Sequence, residues 1–171
     1  MVNLKLYKKK DYLMKILFLI TILLFNITIA DTFSEISSKA MNGDISAEKL
    51  LAKMYRNGKA GIIDDSKAFL LYQSAAKKND PEAQYLLGEL LILNESYSEG
   101  IEQFTLSANQ GYKPAIHILG IIYEDGLFGI TQNYNESFKW YEHGLGTKKD
   151  IKTSNILYQK ACDTGYKAKC S

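Results

Sequence analysis

One short arrangement of apolar residues is written three times in this chain, and it limits the fold more than any other feature. Ala83, Leu86, Leu87, Gly88, Leu90 and Leu91 return 32 residues later as Ala115, Ile118, Leu119, Gly120, Ile122 and Tyr123. Looking back 36 residues, the same pattern stands as Ala47, Leu50, Leu51, Ala52, Met54 and Tyr55. Apolar groups at i, i+3, i+4, i+7 and i+8 form one face of a 3.6-residue helix, whereas a strand would scatter them over both of its faces. A second stripe follows the first: Ala68, Leu71, Tyr72, Ala75 and Ala76, repeated more weakly 32 residues on by Gly100, Gln103, Phe104, Ser107 and Ala108. The repeating unit is therefore a pair of helices with a period in the thirties. Such pairs hide their apolar faces against neighbouring pairs instead of closing private cores, which predicts an all-α solenoid.

The residues between the stripes carry a family likeness. Tyr55, Gly58, Gly61, Ile62, Asp65, Lys67, Ala68, Leu71, Tyr72, Ala75 and Ala76 resemble the Sel-one-like repeat, a relative of the tetratricopeptide repeat, and the resemblance extends over most of Phe33 to Cys170. It implies a right-handed α-solenoid of stacked helix-turn-helix repeats that acts as a protein-protein interaction scaffold. In tetratricopeptide-like arrays the first helix of each pair lines a concave face. Carried over position by position, that geometry implies a binding face of Lys49, Lys53 and Arg56, then Tyr85 and Glu89, then His117, Ile121 and Glu124. The face would run from basic to acidic and would take an unidentified protein or peptide; the alternative is a plain solvated helix surface.

The first thirty residues stand apart from this scheme. Lys5, Lys8, Lys9, Lys10 and Lys15 precede or open an apolar run from Ile16 to Phe25, and Thr28-Ile29-Ala30 supplies small residues before a cut. That order predicts a signal peptide over 1–30 and a mature chain from Asp31, with Met14 an alternative start that leaves the mature chain unchanged. Asn26 breaks the run short of the ~20 apolar residues that span a bilayer, so no stable membrane anchor is expected after cleavage; an uncleaved, membrane-tethering anchor is the alternative. The expected location is secreted or periplasmic. Five of the 21 basic residues and one of the 19 acidic ones lie in this leader, so the apparent charge of +2 becomes about −2 in the remainder. Nucleic acid is not an expected partner, because a mildly acidic domain does not attract a phosphate backbone and Lys77-Lys78 and Lys148-Lys149 are too short to make a track. Over all 171 residues the composition, 46% hydrophobic and 23% charged, is that of one ordinary globular domain.

The units then follow in order. Phe33, Ile36, Ser37, Ala40 and Met41 predict a capping helix over 31–43, stopped by Asn42-Gly43. Repeat one covers 44–80, with Asp44 or Ser46 as the N-cap of its first helix, a turn at Gly58–Gly61, and Asp64, Asp65 and Ser66 as caps available to its second. Repeat two covers 81–112 and repeat three 113–145, with Pro81 and Pro114 each expected at a first helical position. Gly88 and Gly120 fall inside helices, where glycine costs roughly 1 kcal/mol against alanine; close approach of a partner helix is the expected offset. In repeat two, Leu93-Asn94-Glu95-Ser96 replaces the glycine loop, and Gly100, Gln103 and Ser107 weaken the apolar face, making this the most divergent pair. After Gly126–Gly129 the register is ambiguous. Phe138, Trp140 and Tyr141 predict a helix over 136–143, yet Tyr141, Gly144, Gly146 and Asp150 also fit the repeat's loop, and Ser154, Leu157, Tyr158, Ala161 and Cys162 its second helix. The reading is a truncated final repeat over 146–171, with a last helix from Ile151 to Asp163.

Little in the chain suggests chemistry. Cys162 and Cys170 are the only cysteines. In a secreted chain they favour a disulfide that ties the tail to the last helix, worth about 2 to 3 kcal/mol in the chain-entropy description; two free or metal-binding thiols are the cytosolic alternative. The pair is similar to the arrangement in the secreted cysteine-rich bacterial branch of the family. That resemblance implies the second function class, a β-lactam-binding protein or weak β-lactamase. Ser74-Ala75-Ala76-Lys77 matches Ser-x-x-Lys, but no Ser-Asp-Asn or Lys-Thr-Gly motif accompanies it, and the end of a repeat helix accounts for it. His117 and His143 lack a third ligand at metal spacing, so no metal, cofactor or catalytic residue is expected. Tyr55, Tyr72, Tyr123 and Tyr158 occupy stripe positions and read as core; Asn94-Glu95-Ser96 and Asn135-Glu136-Ser137 match glycan sequons that matter only in a suitable host.

Overall fold

A computed structural model describes residues 14–21, 32–59, 61, 63–143, 156, 159, 160, 162 and 163. Both flanks of the leader run with its cut site, Ile62 of the repeat signature, most of the final repeat and Cys170 lie outside these residues. Among the described residues there are helices and turns and no strand. They divide into two compact units that meet in sequence between Ile63 and Asp64.

The first unit holds a helical segment at 14–21, helix α1 at 32–41 and helix α2, Ile45–Arg56. The apolar side chains of 14–21 are exposed, Phe18 at 67%. No helix among the described residues is long and apolar enough to cross a membrane. α1 ends where Gly43 turns at φ 83° and its N–H reaches the Ala40 carbonyl. Asp44 then caps α2, its Oδ1 accepting from Ala47 N at 2.7 Å. Ala40, Ala47, Leu51 and Ala52 are buried, and Phe33 sets its ring edge-on to Tyr55, 6.1 Å between centroids. Leu50 departs from the stripe reading: it is 47% exposed.

The second unit consists of α3 (Asp65–Lys77), α4 (Pro81–Leu93), α5 (Tyr97–Asn109), α6 (Lys113–Asp125) and α7 (Tyr134–His143), each packed on the next. Carboxylates start two of them: Asp64 Oδ1 accepts from Lys67 N at 2.9 Å and Asp80 Oδ1 from Ala83 N at 2.8 Å. Asn133 Oδ1 accepts from Asn135 N and Glu136 N, so α7 begins two residues before the expected position. Pro81 is the first residue of α4 as expected. Pro114 is the second residue of α6, because Tyr112 is the N-cap; no intrahelical donor is lost there either, since the first four N–H groups of a helix have no partner within it.

The core gathers around Phe104, Ala108, Ala115, Ile116, Leu119 and Ile122. Burying a side chain of the size of Leu, Ile or Phe contributes roughly 1.5–3 kcal/mol, which is what holds consecutive pairs together. The two internal glycines work as the sequence suggested. A Cβ at Gly88 would stand 2.7 Å from Phe104 Cε1 and 3.1 Å from the Gly100 carbonyl oxygen, and one at Gly120 would fall onto the ring of Tyr141. Gly100 is the reciprocal half of the first crossing, since a Cβ there would meet Ile92 Cδ1 at 2.8 Å and the Gly88 carbonyl at 3.1 Å. Ser107, fully buried, donates its hydroxyl to the Pro81 carbonyl at 2.6 Å. Residues that look like erosion of the second stripe are thus the fitted parts of the α4–α5 contact. Ser137 does the same for α7, donating to the Gly120 carbonyl at 2.7 Å.

A carboxamide cluster joins successive repeats. Gln84, 3% exposed, donates to Asn79 Oδ1 at 3.1 Å, and Gln110 Nε2 lies 2.7 Å from Gln84 Oε1 and 3.2 Å from Asn79 Oδ1. Asn79 sits at φ 64°, a conformation that asparagine tolerates better than most residues. The turn after α3, the start of α4 and the turn after α5 are thereby fastened at one point.

Candidate functional site

The expected binding face falls on α2 in one unit and on α4 and α6 in the other. On α2, Lys53 is exposed, and Lys49 and Arg56 are half-buried. In the second unit the residues are treated unequally by their surroundings. Tyr85 packs its ring against Phe104 at 5.5 Å and Tyr112 at 5.6 Å, so it belongs partly to the core. Its hydroxyl faces Glu89 one turn on. Burial first, and then the hydrogen bond to the Glu89 carboxylate, push the phenol up to about 12. A neutral phenol donating to a carboxylate is what this pair presents to solvent.

His117 is exposed, with its ring edge against Tyr141 at 5.8 Å, while the Tyr141 hydroxyl reaches the His117 carbonyl at 3.4 Å. Ile121 is half-buried. Glu124 has a specific partner that no periodicity argument could supply: Lys160, 36 residues later, places Nζ 2.8 Å from Glu124 Oε1 and 5.4 Å from the centre of the Tyr134 ring. The hydrogen bond to Glu124 raises the Lys160 ammonium above the ordinary lysine value. The acidic end of the face is therefore already met by a cation from the final repeat. With Lys160 45% exposed, the pair is a surface bridge of the kind worth at most about 1 kcal/mol.

The remaining sequence candidates are placed without forming a constellation. Ser74 is half-buried on α3, and Lys77 is exposed at its end. Among the described residues no group of three or more His, Cys, Asp or Glu could hold a metal ion. Cys162 is not a free thiol, and Cys170, its expected partner, lies outside the described residues. The side chain of His143 does too. Two features escaped the sequence reading: the exposure of Leu70 and Leu93, 62% and 69%, and the reach of Phe128 in the α6–α7 connection to stack on Tyr97 at 5.2 Å. A difference in loop length between repeats was the available signal.

Helix pairs that pack in succession, with titratable residues spread along the outer side of their first helices, define the class of helical-repeat scaffolds. The Sel1 repeat pattern matches four times, at residues 45–80, 81–112, 113–142 and 141–166. The chain belongs to the Sel1 repeat family. It is 30% identical over 113 residues to the chitin synthase regulator SKT5 of Saccharomyces cerevisiae, covering 62% of this chain and 16% of that protein. It is 29% identical over 87 residues to chitin synthase regulatory factor 4 of Schizosaccharomyces pombe, covering 50% of this chain and 14% of that protein. The chain thus spans about one-sixth of the length of these relatives. Among solved structures, a Sel1 repeat protein from Oxalobacter formigenes superposes with a TM-score of 0.59 at 27% identity, over 72% of this chain and 96% of that one. A protective antigen of uropathogenic Escherichia coli with an SLR fold gives 0.62 at 23% identity, over 80% of this chain and 34% of that one. The fold is the all-α solenoid of this family.

Proposed function

We propose that the chain is an exported Sel1 repeat adaptor that holds a protein or peptide against the outer residues of its first helices: Lys49, Lys53 and Arg56 on one unit, and Tyr85, Glu89, His117, Ile121 and Glu124 on the other. One observation carries the reading. Two buried positions of the first helices repeat without change, as Ala47, Ala83 and Ala115 and as Leu51, Leu87 and Leu119, while a third varies as Glu48, Gln84 and Ile116. The face positions at the same offsets change chemistry each time: Lys49, Tyr85 and His117; Lys53, Glu89 and Ile121. A core held constant at these two positions under a varied exterior suits helices whose outer residues are fitted to a partner. Both yeast relatives are named as regulators of an enzyme, which agrees with an adaptor role. Export rests on the charge and apolar order of 1–30, and a Cys162–Cys170 bridge is part of the same reading.

Charge reversal tests the face. The pair Lys53→Glu with Glu89→Lys should abolish capture of the partner that wild-type protein retains from the envelope fraction, with the helical circular dichroism of the wild type retained; capture that survives rejects the face. Export is tested by the mass of the chain recovered outside the cytoplasm. It should begin at Asp31, and recovery of the protein only inside the cell with residues 1–30 attached rejects that part.

A further inference from the structure

The corner where one helix pair turns is built differently in successive repeats. Between α6 and α7 the connection runs through residues 126–133, and Phe128, held at φ 55°, lays its ring on Tyr97 at the start of α5, 5.2 Å between centroids and 27° between planes. A bulky residue at positive φ is strained by about 1–2 kcal/mol, which measures what the chain tolerates to seat an aromatic ring there. Between α4 and α5 the connection is only Asn94, Glu95 and Ser96. A cavity of about 420 Å³ opens at that corner, lined by Asp65, Ser66, Phe69, Leu70 and Asn94. Adding the 32-residue repeat offset turns Asp65 into Tyr97 and Asn94 into Gly126, so the cavity occupies the place that Phe128 covers one repeat later.

The walls keep their apolar character, although the connection Asn94, Glu95 and Ser96 supplies no ring to cover them. Phe69 is half-buried, Leu70 is 62% exposed, and Leu93, beside Asn94, is 69% exposed. The lining is acidic at Asp65, at the start of α3, and Glu95 follows the lining residue Asn94 in the turn, with no cation paired to either among the described residues. The size lies within the range of ligand pockets, roughly 300–1,000 Å³. We propose that this corner is a docking site for a partner peptide that inserts an aromatic side chain, taking the role of Phe128, flanked by lysine or arginine that answers Asp65 and Glu95. Aromatic anchors in shaped pockets dominate such contacts, while rim charges steer the encounter. The corner is distinct from the first-helix face, so the two sites fail or stand separately.

The test is a titration of the ¹⁵N-labelled full chain with acetyl-Arg-Phe-Arg-amide and with acetyl-Arg-Ala-Arg-amide. The phenylalanine peptide should shift the amides of Asp65, Ser66, Leu70 and Asn94, with the alanine peptide at least about tenfold weaker. Leu70→Glu should remove the response, and Asp65→Lys should weaken it in a salt-dependent way, both with the wild-type helical circular dichroism retained because both side chains lie on the surface. Equal responses to the two peptides overturn the proposal. So do shifts centred elsewhere, no shift at millimolar peptide, variants that bind as the wild type does, or concentration-dependent shifts of Leu70 and Leu93 without peptide, which would assign the corner to a second copy of the chain.

Discussion

Gly88→Ala sets two physical effects against each other with opposite signs. Helix propensity alone favours the alanine by roughly 1 kcal/mol, since Gly88 lies in the interior of α4. Contact opposes it. The new Cβ would stand 2.7 and 2.8 Å from two carbons of the Phe104 ring, about 1 Å inside an ordinary carbon–carbon contact. Phe104 is 2% exposed and packed within the core cluster, so the ring has nowhere to go, and the Gly100 backbone closes the other side. Overpacking of this kind costs about 2–3 kcal/mol, which leaves a net loss of about 1–2 kcal/mol. For a chain of this size that is about 2–8 °C in Tm, followed by circular dichroism at 222 nm and by urea titration. A double-mutant cycle locates the cause: Phe104→Leu in the Gly88→Ala background should recover about 1 kcal/mol relative to the sum of the single changes. A Gly88→Ala protein more stable than the wild type, or single effects that simply add, would refute the close crossing as the reason for glycine.

Three further outcomes are expected. Ser107→Ala removes the buried bond to the Pro81 carbonyl and should cost about 1 kcal/mol in a urea titration, as should Asp80→Ala, which removes the cap on Ala83 N. The backbone N–H of Lys67, and then its side chain, hold the Asp64 carboxyl below its ordinary value of 3.8. Its contribution to stability is therefore complete above the unfolded value and lost as the pH falls through the lower folded one, so Asp64→Asn should flatten the acid limb of the stability profile below about pH 4. A chromogenic β-lactam should be turned over no faster by the wild type than by Ser74→Ala; a rate that depends on Ser74 would reinstate the hydrolase reading.

The helix pairs were legible because burial imposes a period, and the period survives substitution. Ala83, Leu87, Ala115 and Leu119 are buried where the stripe puts them, and Gly88 and Gly120 lie under rings. What periodicity cannot show is which residue arrives from the next element. Gly100 and Ser107 looked like losses because their partners, Gly88 and the Pro81 carbonyl, are defined only by the crossing of α4 and α5. Leu50 shows the converse, an apolar residue in register that remains exposed. The face was legible only as a set of positions. That Tyr85 is partly core and that Glu124 is met by Lys160 depend on contacts across 19 and 36 residues, beyond the reach of a helical stripe.

The fastening of Asn79, Gln84 and Gln110 has a consequence for where such an array can work. All three groups are neutral amides, with no proton to gain or lose in the biological range and no formal charge for salt to screen. The placement of α4 against the turns after α3 and α5 is accordingly indifferent to acidity and ionic strength, whatever fluid bathes the chain.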